Sequence, residues 1–191
     1  MLPPDYGTDD LEFRDPRQRA WARIPPKVLI LSLLFFAVFL YEVPRNGQMP
    51  LLVDNLFMLI HESGHILFQF LGMTAAVAGG TFLQLFVPFA LAFYFAGQRQ
   101  PSGVAFCIFL FFEQFVPISK YMGDAQAKRM PFFTLGKYEH VIHDWNYLLT
   151  KLSILSYDRL IADVVRFIGY LGMIGAAFWL LWRFLDEFYG A

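Results

Sequence analysis

Apolar residues run almost unbroken through five stretches, at about 27–43, 50–71, 80–97, 102–119 and 164–182. An unbroken apolar run leaves no polar face for water, and at a length near 20 residues it predicts a membrane-crossing helix. The pattern therefore predicts an all-α fold, a polytopic transmembrane helical bundle of about five membrane-spanning helices. Residues 1–26 are polar and proline-containing, and read as a cytoplasmic tail. Residues 27–191 form a single transmembrane helical domain. Pro88 interrupts the third stretch, because proline removes a helix hydrogen bond.

A segment of about forty residues, 120–160, separates the fourth and fifth stretches, long enough to hold structure of its own. Within it Trp145, Leu148, Leu149, Leu152 and Leu155 recur at helical spacing. They predict an amphipathic helix lying at the interface. In the last stretch Gly169, Gly172, Gly175 and Ala176 form a small-residue face suited to close helix packing.

Composition agrees with a membrane protein: 57% of residues are hydrophobic, 19% aromatic and only 16% charged. A net charge of −1 gives no footprint for nucleic acid. The single cysteine, Cys107, excludes a disulfide framework and a cysteine-based metal site. Lysine and arginine cluster in the tail (Arg14, Arg17, Arg19, Arg23, Lys27) and in 120–160 (Lys120, Lys128, Arg129, Lys137, Lys151, Arg159). Five crossings would put both clusters on one side. The positive-inside rule then predicts a cytoplasmic N-terminus and an external C-terminus, in a bacterial inner (plasma) membrane.

Inside the second stretch lies His61-Glu62-Ser63-Gly64-His65. On a helix, His61 and His65 share one face and can hold one Zn²⁺, while Glu62 can serve as general base. Two histidines and a glutamate at bilayer depth are costly, and such groups mark functional sites. A buried cluster that pairs with itself, or one that holds a porphyrin-like ligand, is the bland alternative.

A catalytic zinc takes a third protein ligand. Glu113 lies about as deep in its stretch as His61 does in its own, though it could equally pair with Gln114. Asp124 lies roughly 16 Å further along a straight helix, but Pro117 and Gly123 could break that helix and lift it. His143 and Asp144 could orient the ligands or bind the metal, and Asp144 could instead cap the amphipathic helix. Asp54 is roughly 10 Å too far along the second helix to be more than a polar lining residue. The spacing leaves these options open.

The motif at 61–65 resembles that of the site-2 protease family of intramembrane zinc metalloproteases. In that family an aspartate after a proline-containing span is the third ligand, typically as Leu-Asp-Gly. Here Pro117 precedes Met122-Gly123-Asp124-Ala125, so the resemblance implies metal ligands His61, His65 and Asp124, with Glu62 catalytic. Glu113, His143 and Asp144 stand as alternative or supporting groups. The resemblance also implies an edge strand for substrate near Gly79-Gly80-Thr81, with Gly80 and Gln84 binding it.

The expected function is zinc-dependent endopeptidase cleavage of a transmembrane protein substrate within the lipid bilayer. The alternative is a non-catalytic accessory or scaffold subunit of a larger membrane complex. Transport of an ion through Asp54, His61, His65 and Glu113 is a weaker reading, because no internal repeat is present.

Overall fold

The computed structural model describes residues 20–46, 51–130 and 142–189. Among the described residues there are seven α-helices: α1 (Pro26–Asn46), α2 (Leu51–Phe68), α3 (Met73–Gly97), α4 (Pro101–Glu113), α5 (Phe115–Gly123), α6 (Asp144–Lys151) and α7 (Asp158–Tyr189). No strand occurs among the described residues. Three helical stretches among the described residues are long and apolar enough to cross a membrane: Met73–Gly97, Pro101–Gly123 and Leu155–Glu187. Their outward faces are apolar too. Phe82, Phe86, Phe89 and Phe93 form an exposed stripe on α3, and Phe167, Leu171, Ile174, Phe178 and Trp182 do so on α7. Faces of this kind fit lipid and not water.

The expected interruption at Pro88 does not occur, and α3 runs through it for 25 residues. The break falls instead at Gln114, between α4 and α5. Pro117, three residues on, has no N–H to give to the Glu113 carbonyl, and its ring crowds that carbonyl. The apolar core lies where α1, α4 and α7 meet. Phe36 stacks on Phe109 with ring centroids 4.1 Å apart, and Phe39, Met173 and Leu180 close around them. Gly169 and Gly172 of α7 lie against the backbone and rings of Phe112 and Phe115, as a close helix crossing requires. Gly175 faces open space, so the small-residue face is narrower than the sequence predicts.

Residues just before α1 fasten to the end of α7. The Ile24 N–H donates to Glu187 Oε2 at 3.0 Å, the Trp21 ring meets Trp179 edge-on, and Arg99 and Arg183 lie over Trp21. The start of α1, the α3–α4 turn and the end of α7 therefore share one end of the bundle. Five crossings would leave the termini on opposite sides, whereas these contacts bring residues 21–24 and 179–187 together. The two basic clusters now fall at opposite ends, Arg23 and Lys27 at one and Lys120, Lys128, Arg129, Lys151 and Arg159 at the other, and charge no longer separates the ends. Residues 1–19, with Arg14, Arg17 and Arg19, and Lys137 lie outside the described residues.

The amphipathic helix is short. It ends at Lys151, and Ser153 turns the chain with φ of 60°. Leu149 is buried against Ile118, Met122, Ala125 and Ala162, while Leu152 is exposed. Asn146 Nδ2 donates to the Ala125 carbonyl at 2.8 Å, and Lys151 and Tyr147 both reach Thr74 at the start of α3. These bonds tie α6 to the turn after α5 and to the start of α3.

Candidate metal centre

Helices α2 and α3 cross closely because glycine meets glycine. A Cβ on Gly64 would overlap the Gly79 carbonyl, and one on Gly79 would sit 2.7 Å from the Gly64 oxygen. The expected edge strand at 79–81 is instead the third turn of α3, its backbone committed to helix bonds. Gly80 does something different. A Cβ there would lie 2.7 Å from both His61 Nε2 and His65 Nε2. Its missing side chain is the space into which both imidazoles point.

Both rings are oriented by acceptors on α3. His65 Nδ1 is 2.8 Å from the Ala76 carbonyl, and His61 Nδ1 is 2.9 Å from Gln84 Oε1. Neither oxygen can donate, so each Nδ1 carries the hydrogen and Nε2 is turned to the site. The two Nε2 atoms converge on one carboxylate oxygen, Asp144 Oδ2, at 3.1 Å from His61 and 3.3 Å from His65. Zinc bonds of about 2.0–2.1 Å at tetrahedral angles put neighbouring ligand atoms roughly 3.3 Å apart. The donor set and its spacing thus fit a zinc ion, and His61, His65 and Asp144 form the one such group of three among the described residues.

Asp144 is at the first position of α6. It is not the cap: His143 Nδ1 takes that place, accepting from the Asn146 N–H at 3.3 Å. The Asp144 N–H donates to the Tyr121 hydroxyl at 3.2 Å, and the Tyr121 ring stacks on His143. Burial disfavours charge on Asp144, but in the metal-free centre imidazoles that also carry a hydrogen on Nε2 donate to it, and this outweighs burial and holds the carboxyl below its usual range.

Asp124 is elsewhere. Its two oxygens accept from the Arg129 and Met130 N–H groups at 3.0 and 2.8 Å, closing the turn after α5. Asp124 Oδ2 is 3.9 Å from His143 Nε2 and does not join the two histidines. The reason is local: α5 ends at Gly123, and the turn beyond it needs an acceptor. Glu113 is wholly buried and accepts from Gln114 Nε2 at 2.6 Å, two amides away from His61. Gln84 binds His61 directly and Gly80 faces the imidazoles, so both line the centre from α3. The side chain of Asp54 lies outside the described residues.

Glu62 follows His61 on α2 and is half-buried. Tyr121 was not foreseen as part of the site. Its only sequence signal is a tyrosine in the last turn before the Gly123-Asp124 break. No family model matches the chain, and no curated protein or solved structure matches it.

Proposed function

We propose that this protein is an intramembrane zinc metalloprotease, similar in chemistry to the site-2 protease family, with His61, His65 and Asp144 as its metal ligands. The observation that carries this reading is the convergence of two Nε2 atoms on one carboxylate oxygen at 3.1 and 3.3 Å, beside a glutamate of the same helix. Zn²⁺ bound there would make water a nucleophile at neutral pH and polarise a carbonyl oxygen.

The protein's own groups do the rest. His61 and His65 present their Nε2 lone pairs because Gln84 and Ala76 hold their Nδ1 hydrogens. Asp144 brings a negative charge from a separate helix, so the site is complete only when α6 is docked. Glu62 accepts a proton from the attacking water and passes it to the leaving nitrogen. A peptide in a membrane hides its carbonyls in helix hydrogen bonds, so the substrate is a transmembrane segment that unwinds locally to reach Glu62. Apolar outward faces on α3 and α7 support a protein embedded in lipid.

The test is Glu62→Gln in purified, detergent-solubilised protein. It should keep zinc at the native stoichiometry and lower cleavage of a transmembrane reporter by about 10²–10⁴-fold. Native-rate cleavage by this variant would remove Glu62 as the base. Absence of zinc from the native protein, even after supplementation, would favour the accessory-subunit reading.

A further inference from the structure

A line of buried polar side chains runs from the candidate metal centre into the break between α4 and α5. His61 Nδ1 meets Gln84 Oε1 at 2.9 Å, Gln84 Nε2 donates to Gln114 Oε1 at 2.7 Å, and Gln114 Nε2 donates to Glu113 Oε2 at 2.6 Å. Gln84, Gln114 and Glu113 are 8%, 1% and 0% exposed. Burying two amides and a carboxyl group in an apolar bundle is costly unless they are mutually satisfied. Packing alone would be better served by leucine or methionine at all three positions.

We infer that Glu113, acting through Gln114 and Gln84, is a positioning residue that sets the proton on His61 and strengthens its Nε2 as a metal ligand. This rests on the metal-centre reading above. The argument is one of direction. With Glu113 as a carboxylate, that end of the line can only accept. Gln114 must therefore turn its NH₂ to Glu113, since its carbonyl there would oppose two acceptors at 2.6 Å. Its carbonyl then faces Gln84, which must answer with its own NH₂, leaving the Gln84 carbonyl for His61. That oxygen demands a hydrogen on His61 Nδ1. A carboxylate on α4 thus dictates the tautomer of a histidine on α2, through two amides that conduct no proton.

The same order of dipoles draws electron density towards the imidazole, as a carboxylate directly on a ligand histidine does. It also brings a negative charge towards a centre of Zn²⁺, two neutral imidazoles and one carboxylate, which is net positive. The Pro117 break is what makes this possible. It ends α4 at Glu113 and puts Glu113 and Gln114 together in the buried interior.

The experiment is titration of Co²⁺ into metal-free, full-length protein in detergent, read by visible absorption, with Zn²⁺ competition for affinity. Glu113→Gln keeps shape and removes the acceptor-only end, so amide direction is no longer imposed. It should weaken binding by about 10–100-fold, the usual loss when a group behind a ligand is changed. Adding Gln84→Glu to Glu113→Gln puts a carboxylate directly on His61 Nδ1 and should restore affinity to within a few-fold of native. Native affinity in Glu113→Gln overturns the inference. A loss that Gln84→Glu does not repair assigns Glu113 to packing and overturns it as well. If Glu113→Gln does not fold, Gln114→Met cuts the relay with both ends intact; a loss in the same range supports the inference and native affinity overturns it. His61→Ala is the reference: binding that survives it sinks the metal-centre reading itself, whereas a failed relay leaves His61→Ala metal-free.

Discussion

Asp144 Oδ2 lies 3.1 Å from His61 Nε2 across 83 residues of chain. The contact joins the first residue of a short helix after 120–143 to the middle of α2. In the proposed metal centre Asp144 takes the place of Asp124, to which the Pro117-Met122-Gly123-Asp124 string points, from twenty positions later.

Metal content should follow this assignment. Native protein is expected to carry about one zinc per chain, and His61→Ala and Asp144→Ala each to lose it. Asp124→Asn keeps an acceptor for one of the Arg129 and Met130 N–H groups and should retain zinc. Elemental analysis of the purified variants decides this, and loss of zinc in Asp124→Asn with retention in Asp144→Ala would reverse the assignment.

Gly80 and Gly97 end up in opposite surroundings on one helix. Gly97 has open space where a Cβ would go, while a Cβ on Gly80 meets His61 and His65 nitrogens at 2.7 Å. Gly80→Ala should abolish metal binding with little change in helix content, and Gly97→Ala should bind normally. Gly64→Ala opposes backbone rather than a movable side chain, and should cost about 1–3 kcal/mol of stability, as overpacking does. Thermal melts by circular dichroism, with metal titration, separate these effects.

The cap of α6 should be sensitive to acid. His143 Nδ1 must be unprotonated to accept from Asn146, and burial pushes its pKa below the ordinary value of 6.5. The folded state therefore binds this proton less readily than the unfolded one. Its contribution is whole above about pH 6.5 and declines as pH falls below that value. Hydrogen exchange at the Asn146 amide in chelator-treated protein should quicken, relative to intrinsic rates, between pH 7.5 and 5.5. His143→Asn keeps a capping acceptor that does not titrate, and in it this extra quickening should vanish.

The bundle predicts that both ends of the described chain label from the same side. Cys107 is buried, so single cysteines placed at Arg23 and at Tyr189 report without background from it. A membrane-impermeant maleimide added to sealed, oriented vesicles should reach both or neither. Labelling from opposite sides would restore the five-crossing path and contradict the Ile24–Glu187 contact.

Much was legible in the residues themselves. The unbroken apolar runs specify helices in lipid, because the backbone there must satisfy its own hydrogen bonds. His61, Glu62 and His65 are a local pattern within five consecutive positions of one helix, so their spacing alone puts two imidazoles on one face. The third ligand was not legible in this way. Asp124, Glu113 and Asp144 are each a carboxylate at a plausible depth, and choosing among them needs the path of the chain from Gly123 to α6. The tertiary structure brings Asp144 to the proposed centre by local bond satisfaction: Asp124 serves the turn after α5, Glu113 serves Gln114, and His143 caps α6, which leaves the Asp144 carboxylate beside the histidines. The roles of Gly80 and of the Gln84–Gln114–Glu113 line belong to the same class. A missing side chain and a direction of hydrogen bonding acquire meaning only when α2, α3 and α4 are brought together, because both depend on contacts between residues far apart in sequence.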